Sequence, residues 1–185
     1  MSNYVQKTHC PVCKSQSLKE ALTAKDFTVS NESFVITECQ DCSLRFTLGI
    51  PCETATQRYY QSSGYISHSN TKKGFVNRIY HWARFFTMMS KEALVKKATK
   101  KNVGMLLDVG SGIGTFVHTM VKAGWNVSGL EPDADARAIG VKKYNCDIYP
   151  SEELFRLPDG TYDAITMWHV LEHVADPRVT LTTLH

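Results

Sequence analysis

The sequence predicts an α/β protein, in which a small cysteine-bearing β module precedes strand–turn–helix units of a mostly parallel sheet. Three observations carry this reading. Two C-x-x-C pairs lie near the N-terminus, Cys10/Cys13 and Cys39/Cys42. The run Met105-Leu106-Leu107-Asp108-Val109 enters a glycine-dense turn, and helical spacing follows at Phe116, Val117, Met120 and Val121. A second apolar run through Val127 and Leu130 ends in the acid Glu131. Apolar strands alternating with helix-period segments are the pattern of βαβ units.

Composition bounds the classes. The chain has 185 residues, 43% hydrophobic and 21% charged, with a net charge of +3, which fits one globular domain or two small ones. The polar start MSNYVQKTHC does not read as a signal peptide. No run approaches the ~18–20 apolar residues of a membrane span. The expected location is the cytoplasm, where thiols stay reduced and cysteine clusters bind metal.

The two cysteine pairs are 25 residues apart, counting 14 to 38. Each supplies two thiolates from one tight turn, and together they complete a four-sulfur shell. Cys10, Cys13, Cys39 and Cys42 are therefore the expected ligands of a structural zinc, with iron as the alternative. Phe34-Val35-Ile36-Thr37 reads as a strand leading into the second pair. Cys52 and Cys146 lie outside the pattern. The expected organisation is a zinc-ribbon-like module over 1–50, a linker over 51–74, and a helix plus sheet domain over 75–185.

The linker is rich in Ser, Thr, Gln and Tyr. Its aromatic stretch has two readings: the rings cover a junction, or Tyr60, Tyr65 and His68 reach over a ligand pocket. Apolar spacing from Phe75 to Thr99 predicts a long amphipathic helix or two. Its basic end (Lys91, Lys96, Lys97, Lys100, Lys101) reads as a solvated face beside a negative helix C-terminus; nucleic acid is not the expected partner.

The glycine turn specifies its ligand by spacing. A dinucleotide fingerprint needs G-x-G-x-x-G or a closing Ala, and Thr115 stands at that third position. The chain instead reads D-x-G-x-G-x-G through Asp108, Gly110, Gly112 and Gly114. A strand-tip acid such as Glu131 accepts hydrogen bonds from ribose hydroxyls. A third strand is expected near Asp147-Ile148-Tyr149, and the segment Tyr162-Asp163-Ala164-Ile165, followed by Leu171-Glu172-His173 and Asp176-Pro177, resembles a fourth strand and adjoining helix start.

Together these motifs resemble the class I S-adenosylmethionine-dependent methyltransferases over residues 104–177. The resemblance implies a Rossmann-like sheet preceded by the zinc-ribbon-like β module. It implies that Asp108, Gly110, Ser111, Gly112 and Gly114 face the methionine moiety of S-adenosylmethionine, and that Glu131 and Pro132 take the ribose. Ser151 and Glu152 fall at the adenine, and Trp168 and His169 line the pocket. His173 is the candidate acid/base, since imidazole titrates near neutrality; the other reading is a helix-start residue that fixes the loop.

The N-terminal module looks like the zinc-binding module of some sugar C-methyltransferases. The implied activity is methyl transfer to an oxygen or carbon of a small metabolite, a sugar among the candidates. A zinc-ribbon binding module for nucleic acid or protein, without enzymatic activity, is the alternative. The family's sheet has seven strands in order 3-2-1-4-5-7-6. This sequence carries only the first four, so the expected piece is a 3-2-1-4 half-sheet with an open edge, either a fragment or covered in an oligomer.

Overall fold

A computed structural model describes residues 4–27, 29–52, 75–174 and 176–185, without the side chains of 75–81, 83 and 84. It divides into two compact units, Met1–Thr71 and Lys72–His185.

In the first unit, β1 (Tyr4–Gln6) pairs antiparallel with β5 (Gly49–Pro51). Strands β2 (Leu18–Lys25), β3 (Ser33–Cys39) and β4 (Arg45–Thr47) form a three-stranded antiparallel sheet in that order. The strand expected at Phe34–Thr37 is the middle of β3, which delivers Cys39 to the second cysteine turn. β2 is exposed along nearly its whole length, so no in/out alternation marks it in the sequence. Among the described residues of this unit only Cys10, Thr37 and Cys39 are buried. Small domains with few buried apolar side chains commonly use a metal or another cross-link.

The second unit opens with α1 (Phe75–Thr99), one helix rather than two. A four-stranded parallel sheet follows, made of β6 (Met105–Val109), β7 (Asn126–Leu130), β8 (Ile148–Tyr149) and β9 (Ala164–Met167). The spatial order is β8-β7-β6-β9, which is the expected 3-2-1-4. The connections carry α2 (Thr115–Lys122), α3 (Ala134–Tyr144) and a 3-10 helix over Ser151–Arg156. The chain closes with a 3-10 turn at Leu171–His173 and α4 (Pro177–Leu184), whose N-cap Asp176 accepts from the amides of Arg178 and Val179.

Neighbouring residues of a strand face opposite sides, and the core follows that rule. Leu106 belongs to the cluster with Val95, Phe116, Val117, Met120, Val127 and Ile148 on the side of α1 and α2. Leu107, Val109 and Leu130 form the second cluster, closed by Leu154, Met167, Val170 and Leu184. Burial on both faces explains why β6 reads as a continuous apolar run. The start of β6 is fixed by Asp163, whose carboxylate accepts from the Met105 amide at 2.8 Å and pairs with Lys101.

Candidate functional site

Two sites are built from these elements. In the first unit, Cys10 and Cys13 lie in one turn and Cys39 and Cys42 in another of the same backbone form. The Lys14 amide donates to the Cys10 carbonyl, and the Ser43 amide to the Cys39 carbonyl. The Cys10 amide donates to the Ser15 carbonyl at 2.8 Å, matched by Cys39 to Leu44 at 2.9 Å. The residue after each second cysteine is left-handed, with φ 64° at Lys14 and 59° at Ser43.

The repeated turns bring four sulfurs together. All four Sγ atoms lie within 4.8 Å of one another, with Cys10–Cys42 at 3.6 Å and Cys13–Cys39 at 3.4 Å. A tetrahedron of ~2.3 Å zinc–sulfur bonds has edges of about 3.8 Å, so the donor set fits such an ion. Burial opposes ionisation of Cys39. The amides of Cys42 and Asp41 aimed at its sulfur, with the Cys13 thiol, outweigh that and bring it down to about 7.

In the second unit the site lies at the carboxyl ends of the strands. The chain runs from β6 to β7 to β8 in one direction, while β9 pairs on the other side of β6. A crevice opens at such a switch point, and ligands of open α/β sheets bind there. One lip is the glycine turn. The Gly110 and Ser111 amides both donate to the Leu130 carbonyl, at 2.7 and 2.9 Å, folding the turn over the end of β7. Gly110, Gly112 and Gly114 all have positive φ, at 74°, 55° and 73°.

The glycines differ in their surroundings. A Cβ on Gly110 would stand 2.2 Å from Val170 Cγ2, because the turns after β6 and β9 pack together. A Cβ on Gly112 would meet nothing within 4 Å, so the backbone there borders open space. Gly114 is the N-cap residue of α2, with Ile148 and Cys146 packed close behind it.

Glu131 closes the turn from the β7 side. Its carboxylate accepts from the Gly112 amide at 2.8 Å and, through the other oxygen, from the Asp133 amide at 3.1 Å. Each oxygen has a further lone pair for a ligand hydroxyl. Arg137 braces the same corner by donating to the Glu131 and Pro132 carbonyls at 2.6 and 2.7 Å. Asp133 caps α3, accepting from the Asp135 and Ala136 amides.

Asp108 and Ser111 lie beneath the turn. Asp108 is only 2% exposed, and the Thr166 hydroxyl donates to its carboxylate at 2.7 Å. Burial raises its pKa to about 7, against the Thr166 bond and the charge of Lys91. Ser111 is buried and its hydroxyl donates to the Leu130 carbonyl. Ser111 thereby ties the turn to the end of β7, while Asp108 joins β6 to β9 through Thr166.

The other lip follows β9. The Trp168 ring meets Phe116 edge-on at 5.6 Å, while its Nε1 is buried with no hydrogen-bond partner. His169 is left-handed at φ 59° and points outward, its side chain 88% exposed with Nδ1 3.8 Å from Glu172. His173 is exposed on the 3-10 turn, its amide donating to the Val170 carbonyl. Ser151 and Glu152 begin the 3-10 helix after β8, half-buried and exposed respectively. Tyr60, Tyr65 and His68 lie outside the described residues.

Sequence reasoning passed over two contributors. Thr166 carries a signal: a polar residue inside the apolar strand Ala164–Met167, in register with Asp108 across the β6–β9 pair. Lys91 corrects the reading of the basic run as a uniformly solvated face. It is half-buried one turn from Met88 and Val95, with its ammonium 4.4 Å from the centre of the Trp168 ring. Two concavities are also present in this unit. One runs along β9 beside Leu94 and Ala98, and the other lies between α1 and α2 beside Met89 and His118.

The fold and this crevice define a class: the parallel 3-2-1-4 sheet and glycine turn are the opening half of a class I methyltransferase. The model of the methyltransferase domain family matches residues 77–185, and the chain belongs to that family. The ubiquinone biosynthesis O-methyltransferase of Hydrogenovibrio crunogenus is 33% identical over 79 residues, covering 39% of this chain and 33% of the relative. The enzyme of that name from Cronobacter sakazakii is 37% identical over 81 residues, covering 40% and 33%. The match thus spans about a third of the length of these relatives.

Among solved structures, magnesium protoporphyrin IX methyltransferase from Synechocystis PCC 6803 with bound SAM shares the fold. Its TM-score is 0.52 at 19% identity, over 71% of this chain and 69% of that one. No helix among the described residues is long and apolar enough to cross a membrane.

Proposed function

We propose that the crevice between β6 and β9 binds S-adenosylmethionine, and that the protein transfers its methyl group to an oxygen or carbon of a small metabolite. The observation that carries this is the Gly112–Glu131 pair. An amide bordering open space is locked to a carboxylate that still has lone pairs for ribose hydroxyls. Membership of the methyltransferase family supports the same reading.

Each residue then has a role. Gly110, Gly112 and Gly114 bring bare backbone against the methionine end, which side chains would block. Asp108 and Ser111 shape that turn from beneath, and Glu131 with Pro132 takes the ribose. Ser151 and Glu152 face the adenine, Trp168 forms the β9 wall, and His169 lies exposed at its rim. S-adenosylmethionine supplies an electrophilic methyl on a cationic sulfur when bound. His173 accepts the proton of the acceptor group, and alignment of the acceptor supplies much of the rate. A sugar is one candidate acceptor.

The four cysteines hold a structural zinc, a closed site with no open position for a water. The organisation that goes with this reading is a zinc module over 1–50, a connector over 51–74 and the methyltransferase half-domain over 75–185, in a cytoplasmic protein. Calorimetry with S-adenosylmethionine and S-adenosylhomocysteine tests the reading. Saturable binding that Glu131→Ala weakens tenfold or more is expected; folded protein that binds neither compound overturns it.

A further inference from the structure

With eight residues, β2 is the longest strand among the described residues, and it forms one edge of the antiparallel sheet β2-β3-β4. Among those residues no strand pairs with its outer side, which offers main-chain donors and acceptors to a further strand. Leu22, in mid-strand, is 48% exposed. Glu20 and Lys25 carry opposite charges on this edge, and neither has an ion-pair partner among the described residues. Glu20 accepts from the Thr23 hydroxyl, and the Lys25 ammonium lies 5.2 Å from the centre of the Phe27 ring.

The strand is not regular. Against β3, Glu20 stands opposite Thr37 and Leu22 opposite Ile36, so Ala21 is an extra residue, a β-bulge. Side chains alternate faces along a strand, and the extra residue resets the alternation. Leu18, Glu20, Thr23 and Lys25 therefore share one face, and Lys19, Leu22 and Ala24 the other. The Thr23 hydroxyl accords with this. It donates to Glu20 at 2.9 Å, across three residues that a regular strand places on opposite faces.

Two copies of one edge pair antiparallel about a two-fold axis, and residues directly opposite share a face. With the axis at Thr23, that residue meets its own copy and Leu22 meets the second copy's Ala24. The bulge then brings Lys25 opposite the second copy's Glu20, and Glu20 opposite its Lys25. An axis at Leu22 sets Lys25 against Leu18, and an axis at Ala24 sets it against Thr23. Of these registers only the one centred on Thr23 neutralises both charges.

We propose that β2 is where two copies of this chain join, by antiparallel pairing centred on Thr23, so that two three-stranded sheets become one of six strands. Leu22 is then covered by the second copy's Ala24 and, on the diagonal, by its Leu22. The pairing is independent of what the crevice binds.

Sedimentation equilibrium of the zinc-loaded whole chain over a range of concentrations reads the association. Circular dichroism and zinc content establish that each variant is folded. A reversible dimer is expected. Lys25→Glu sets acid against acid twice in the dimer, and Glu20→Lys sets ammonium against ammonium. Each is expected to weaken the dimer about tenfold or more. The double variant Glu20→Lys/Lys25→Glu exchanges the charges and is expected to recover it. An equimolar mixture of the two single variants is expected to form a mixed dimer, because every opposed pair in it is complementary.

Thr23→Cys tests the register. Its Cα and that of its copy stand about 4.5–5.5 Å apart in such a ladder, within disulfide reach. Mild oxidation is expected to link Thr23→Cys dimers but not Ala24→Cys dimers, whose sites stand two positions out of register. A chain that stays monomeric at its highest soluble concentration overturns the proposal. So does a dimer that charge reversal leaves intact, a loss in the single variants that the double variant does not recover, or equal linking through Ala24→Cys.

Discussion

The Gly112 amide donates to the Glu131 carboxylate at 2.8 Å, so the turn after β6 and the acid ending β7 form one structural piece. A second amide, that of Asp133, occupies the other carboxylate oxygen at 3.1 Å. Glu131→Ala leaves both amides without their acceptor and lets the turn relax. Cofactor affinity is expected to fall tenfold or more, with a stability loss of about 1–2 kcal/mol. Glu131→Gln keeps one acceptor oxygen and is expected to fall between wild type and Glu131→Ala. Calorimetry and urea unfolding measure the two effects separately.

Gly110 and Gly112 separate folding from binding. Both have positive φ, which costs a residue with a Cβ about 1–2 kcal/mol. At Gly110 a new Cβ also meets Val170 at 2.2 Å, so Gly110→Ala is expected to destabilise the unit by more than that strain alone. At Gly112 the methyl enters open space. Gly112→Ala is therefore expected to lose only that strain in stability, less than Gly110→Ala loses, yet to lose cofactor binding. Equal melting losses in the two variants would contradict this.

Asp108 gives the second unit a pH dependence. Its folded pKa is raised from 3.8 to about 7 by burial. Between these values the native state holds a proton that the unfolded chain has released. The stabilisation is therefore complete below about pH 4 and is lost as pH rises through about 7. Asp108→Asn, which keeps an acceptor for Thr166, is expected to remove that loss. Urea midpoints of the two proteins at about pH 5 and about pH 8.5 check it: the variant gains on wild type at the higher pH.

The first unit is expected to depend on its metal. With only Cys10, Thr37 and Cys39 buried among its described residues, the four-sulfur cluster replaces a core. One zinc per chain is expected by elemental analysis, and Cys39→Ser is expected to lose it together with the antiparallel β signal. Cofactor binding by the second unit is expected to survive that change.

Much of the second unit was legible because its strands and helices each bury a defined face. Leu106 and Leu107 face opposite clusters, and the helical spacing at Phe116, Val117 and Met120 is the buried stripe of α2. The alternating glycines of the motif stand at left-handed positions, which few other residues adopt at no cost. β2 was not legible, since neither of its faces is buried and its sequence alternates nothing.

Site residues were legible where local spacing defines them and obscure where the third dimension does. Glu131 follows from its place at a strand tip, but nothing local says that Gly112 is its partner. Thr166 meets Asp108 through strand register, across 58 residues of sequence. Lys91 resembles its neighbours in the basic run until α1 is laid against Trp168.

The most direct test of the account is an NMR titration of the whole chain with S-adenosylhomocysteine, read at the backbone amides. The account predicts saturable shifts at Gly110, Gly112, Gly114 and Glu131, with residues 4–52 unaffected. Saturable binding that leaves those four amides unmoved, or that shifts the cysteine unit instead, would contradict it.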